Sequence, residues 1–109
     1  MTTQRRIPDW LRCSLQLALL GEIYPAIRAI AVGFSQDRAL TLRMYLDREP
    51  NEDDYENLSV VVTNVLADNS SNDEITDVKE ECVYSDAPFS TLDPLDGFVY
   101  ARSEATPTI

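Results

Sequence analysis

Residues 39–48, Ala-Leu-Thr-Leu-Arg-Met-Tyr-Leu-Asp-Arg, alternate apolar and polar side chains. A strand repeats every two residues, so Leu40, Leu42, Met44 and Leu46 share one face and Thr41, Arg43, Tyr45 and Asp47 the other. Glu49 and Pro50 then lead into a helix, with Asn51 as N-cap and Glu52, Asp53 and Asp54 in the first turn, where carboxylates meet the positive end of the dipole. Tyr55, Leu58, Val61, Val62, Val65 and Leu66 recur at helical spacing up to about residue 68, and predict its buried face. A strand with one apolar face handed directly to an amphipathic helix demands two layers sharing one core.

The remaining segments fit that frame. Pro8 and Asp9 suit the first turn of a helix running to about residue 20, with Leu11, Leu15, Ala18 and Leu19 inward and Gly21 as its left-handed cap. Residues 26–34 read as a strand with Ile30, Val32 and Phe34 on one face and Ile27, Ala29 and Ala31 on the other; they form a hairpin with residues 39–48. Residues 68–73 are a polar loop. Residues 77–85 predict a third strand, although residues 74–81 also suit a helix. Residues 86–96 form a loop carrying Phe89, Leu92 and Leu95, apolar side chains that either fold back on their own protein or meet another. Asp96-Gly97 marks a turn before a last strand at 98–102, and residues 103–109 read as a tail. The predicted fold is α+β in the order α-β-β-α-β-β: a four-stranded antiparallel sheet with two helices packed on one face and the other face uncovered. At 109 residues this is one domain, 1–109, with an ordered core at about 8–102.

The charge is lopsided. Residues 1–46 carry +3, residues 47–96 carry −13 and residues 97–109 are neutral, for a total of −10. Such a surface repels phosphate backbones and attracts a basic protein, so the expected partner is a protein and not nucleic acid. Solubility is the plainer use of the same charge. The apolar stretch 15–34 contains Glu22, Arg28, Gly21 and Pro25, and each mid-membrane charge costs ~2.5–3.5 kcal/mol, so no membrane span is expected. Arg5-Arg6 is followed by Trp10 and Arg12 rather than a clean export signal, and the expected location is the cytoplasm.

Chemistry finds little footing. The chain has no His, which excludes Ser-His and Cys-His nucleophile systems, and its three glycines build no phosphate loop. Asp68, Ser70, Asn72 and Glu74 begin like a calcium loop, but Asp73 stands where glycine is needed and Lys79 where the bidentate Glu belongs. Cys13 and Cys82 are expected to be buried and reduced, with Glu80 and Glu81 disfavouring a thiolate at Cys82. Asp93 and Asp96 could pair as acid and base, but turn capping accounts for both. No enzyme, cofactor or metal is expected.

The segments Tyr45-Leu-Asp-Arg-Glu-Pro-Asn-Glu-Asp-Asp-Tyr-Glu56, Glu81-Cys-Val-Tyr-Ser85 and Leu92-Asp-Pro-Leu-Asp-Gly-Phe-Val-Tyr100 resemble a family of small bacterial proteins, the immunity proteins of polymorphic toxin and contact-dependent growth inhibition systems. The resemblance spans about residues 9–102 and implies an antitoxin that binds a cognate toxin. Charge adds that this toxin is basic, as a nuclease must be to hold its phosphate substrate. The candidate partner contacts are Tyr45, Asp47, Glu52, Asp53, Asp54, Glu56, Asp86, Asp93 and Asp96. The other reading is a non-catalytic adaptor or structural subunit that self-associates as a homodimer through the uncovered sheet face.

Overall fold

The computed structural model of the chain describes residues 7–67 and 74–104. Its elements are α1 (Asp9–Ala18), β1 (Ile27–Phe34), β2 (Ala39–Leu46), α2 (Glu52–Ala67), β3 (Asp77–Tyr84), a 3-10 turn (Phe89–Thr91) and β4 (Gly97–Ala101), an α+β fold in the expected order. The polar loop expected at 68–73, the first six residues and residues 105–109 lie outside the described residues. Residues 77–84 are strand, which resolves the helix-or-strand alternative for 74–81.

The sheet order is β3-β2-β1-β4. β1 pairs antiparallel with β2 and β4, but β2 and β3 run parallel, so the sheet is mixed and not purely antiparallel as expected. Chain geometry explains the difference. Sixteen helical residues span about 24 Å, close to the ~26 Å of an eight-residue strand, so α2 carries the chain back to the start of β2 before β3 begins.

One face of the sheet is covered by both helices. Leu40, Leu42, Met44 and Leu46 from β2 lie there with Ile30, Val32, Leu11, Leu15, Leu58, Val61 and Val65, all buried. Trp10 meets Phe34 edge-on at 5.8 Å and fixes the start of α1 against the end of β1. Ile27 joins this core rather than the opposite face, because a register shift between Ile27 and Ala29 breaks the two-residue alternation. Gly21 takes φ +81° beyond the end of α1, the left-handed conformation expected of it.

The other face is not free. The 86–96 segment returns from the end of β3 to the start of β4 across it, and Leu92 packs on Ala29, Ala31 and Tyr45 with Phe89, Leu95 and Phe98 beside them. The small side chains of Ala29 and Ala31 admit this close approach. Tyr45 donates to the carbonyl of Asp93 at 2.8 Å, and Asp96 exchanges backbone and side-chain hydrogen bonds with Val32 and Phe34 at 2.8 Å. The apolar loop residues thus fold back on their own protein and cover the face that was expected to be open.

Candidate partner-binding surface

The carboxylates sort by what the fold does with them. Asp54, a candidate contact, is interior at 1% exposure. Its carboxylate accepts from both arms of the Arg48 fork at 2.7 and 3.0 Å, from the Tyr24 hydroxyl, and from the Asn51 N–H at 2.8 Å. The Asn51 side chain returns a bond to the Asp54 N–H at 3.1 Å, closing a reciprocal cap on α2. Chiefly through Arg48, with Tyr24 and Asn51 adding and burial opposing, the Asp54 pKa is pulled down to about 2. Burial, then the hydrogen bond to Asp54, pushes the Tyr24 hydroxyl up to about 12, so it remains a donor. Asp54 therefore holds the start of α2 and presents no face to a partner.

Glu104 does the same work at the end of the sheet. Arg28, 5% exposed, grips it with two bonds at 2.7 and 2.8 Å and donates to the Ser85 carbonyl at 2.8 Å. Arg102 joins Glu104 to Asp47 at 3.1 and 2.8 Å. The Arg28 fork, against a smaller effect of burial, lowers the Glu104 pKa to about 2. Ser103 and Glu104 are thus part of the ordered fold, where a tail was expected.

Three other candidates also have partners within the protein. Tyr45 is 5% exposed, under the loop that its hydroxyl holds. Asp93 caps Leu95 N–H at 2.9 Å and lies 3.7 Å from Arg43, with its side chain still largely exposed. Asp96 is half-buried in the turn before β4.

Most of the exposed candidates gather at one end. β2 and β3 run parallel and finish together, so Asp47 and Asp86 follow them at the same end of the sheet, where α2 also begins. Asp47, Glu49, Glu52, Asp53, Asp54, Glu56, Asp86 and Glu104 are here against Arg28, Arg48 and Arg102, eight negative charges against three positive, a local −5. All three guanidinium groups are held by carboxylates. Among the described residues, Glu49, Glu52, Asp53, Glu56 and Asp86 have no ion-pair partner and are exposed.

Among these acids stands Tyr55, 46% exposed. It was expected in the core, but it lines a shallow depression with Glu52, Glu56 and Ser59 and a second one with Arg43, Glu80, Cys82 and Val83. Its ring is thus accessible beside two exposed carboxylates, Glu52 and Glu56. At 100° per residue, Asp54 lies about 30° from the centre of the arc set by Leu58, Val61, Val62 and Val65, and Tyr55 about 70° from it. That angular reading of the sequence separates the buried acid from the exposed ring.

The two thiols are placed differently. Cys82 is buried, and burial, then Asp54 and Glu80, pushes its thiol up to about 11, which keeps it protonated. Cys13 is exposed on α1, where a buried position was expected. Among the described residues no group of three or more Cys, Asp or Glu could hold a metal ion, and no helix is long and apolar enough to cross a membrane. The family model described as MafI2 immunity protein matches residues 8–104. No curated protein matches the chain.

Proposed function

The chain belongs to the MafI2 immunity protein family, and from that premise we propose that it neutralises a cognate toxin, a basic nuclease, by laying its acidic end over the toxin's active site in the cytoplasm. The observation that carries this reading is the group of exposed, unpaired carboxylates Glu49, Glu52, Asp53 and Glu56 at the start of α2, two of which, Glu52 and Glu56, share a depression with the ring of Tyr55. A nuclease must present cations to its phosphate substrate, and those cations are what such a surface attracts. Tyr55 supplies the apolar anchor that charge alone lacks. Asp47 and Asp86 extend the same surface and Asp54 supports it from within, whereas Tyr45 holds the covering loop and Asp93 and Asp96 lie toward the opposite end of the sheet, beside Gly33 and Phe34.

The test is co-expression. A toxin that arrests growth should be relieved by this chain and should co-elute with it, with its nuclease activity suppressed in the complex. Growth arrest that persists while both proteins are present and folded removes the reading.

A further inference from the structure

The two edges of the sheet are treated differently. β4 has five residues, a register shift against β1, and a carbonyl at Val99 capped by the Gln16 side chain at 3.0 Å. Bulges, brevity and capping are how proteins close an edge to further pairing. β3 has eight residues in unbroken register with β2, from Ala39↔Asp77 to Leu46↔Tyr84. Among the described residues no hydrogen bond reaches the outer side of its backbone. A depression lined by Tyr55, Glu80, Glu81, Cys82 and Val83 also runs along it.

Resting on the reading of the chain as a toxin-binding protein, we propose that the outer edge of β3 receives an extended basic segment of the toxin as a fifth strand. Alternate side chains of an added strand would lie beside Glu80, Cys82 and Tyr55 on the helix side and beside Glu81 and Val83 on the other. Glu81 is already held by Arg43 at 2.6 Å and by Lys79 at 3.5 Å. Glu80 accepts only from the Ser59 hydroxyl, at 2.7 Å, and has no ion pair among the described residues. A Lys or Arg of the incoming strand therefore belongs opposite Glu80, with an apolar side chain against Tyr55 and Cys82.

A second copy of the chain fits this edge less well. Two-fold antiparallel pairing of β3 with itself keeps residues of like parity opposite each other. The two registers of fullest overlap then set Glu80 against Glu80 or Glu81 against Glu81, and like charges directly opposite destabilise a sheet. The first register also sets Lys79 against Glu81, but that pair already exists within one chain. Two bodies of net charge −10 repel as well.

Amide hydrogen exchange tests the proposal, with the full chain measured alone and saturated with the toxin domain whose growth arrest it relieves. Exchange at residues 78–84 should slow at least ~10-fold in the complex, because strand addition buries and bonds the outer amides. A complex in which β3 exchange is unchanged while α2 is protected overturns strand addition and leaves toxin binding intact. Absence of any complex removes both readings. Slowing in the chain alone that grows with its own concentration assigns the edge to self-pairing and overturns the proposal.

Discussion

Asp54→Ala is expected to lower folding stability by about 2–3 kcal/mol. Asn51 keeps its own cap on the residue-54 N–H, so the losses are the return bond of the capping box, ~0.5–1 kcal/mol, and the Arg48 and Tyr24 hydrogen bonds to a buried carboxylate, ~1.5 kcal/mol or more. The cost stays below the ~3–5 kcal/mol of a broken, fully buried ion pair, because the Arg48 side chain is 42% exposed and returns to water. The same residue sets a pH dependence. Its pKa is lowered on folding from 3.8 to about 2, so its contribution is complete above pH ~4 and is lost as pH falls through 2, about 2 kcal/mol in all. Glu104, lowered from 4.5 to about 2, acts with the same sign over the same window. Urea denaturation at pH 7 and pH 3 checks this: the native chain loses stability on acidification, and Asp54→Asn, weaker at pH 7, loses less. Equal losses in the two proteins would exclude Asp54 as a source of the acid sensitivity.

The residues that were misplaced from sequence show where such reading stops. On α1, Leu11, Ser14, Leu15 and Ala18 define the buried arc, and Cys13 lies about 150° from its centre. The expectation that it is buried came from the habits of free thiols and ignored its helical position. The parallel pairing of β3 followed from the length of α2, which was readable, whereas the shift that turns Ile27 inward depends on pairing partners that no local pattern encodes. The fold-back of the 86–96 segment was one of two readings, and its landing on the sheet face, where Ala29 and Ala31 leave room for Leu92, ran against the expectation of an uncovered face. The candidate surface was half legible. Its charge was plain in the composition, but the division between acids that bind Arg48, Arg28 or Arg102 and acids left exposed is a three-dimensional fact. Glu104 illustrates it, bonded to Arg28 across 76 positions of the chain.

Reversing charge on α2 is the other change with a large expected effect. Glu52→Lys, Asp53→Lys and Glu56→Lys together move the local balance by six charges, from −5 to +1. Association with a basic toxin should slow by ~10²-fold at low salt, and affinity should fall by at least that factor. Glu52 and Asp53, in the first turn, also face the positive end of the helix dipole, at ~0.3–1 kcal/mol apiece, so the variant should be less stable yet folded, which circular dichroism verifies. Glu52→Gln with Glu56→Gln should give a smaller loss of affinity in the same direction. Stopped-flow association with the purified toxin domain measures both. Unchanged association in the folded triple variant would place the binding surface elsewhere.

The most direct measurement for the immunity protein as a whole is its association rate with the toxin as a function of ionic strength. From about 0.01 M to about 1 M salt the screening length shrinks from ~30 to ~3 Å. An electrostatically steered encounter should then slow by at least ~30-fold, towards the ~10⁵–10⁶ M⁻¹s⁻¹ of neutral partners. A rate that stays within about twofold across that range would contradict recognition by the acidic end of the sheet, however tight the complex.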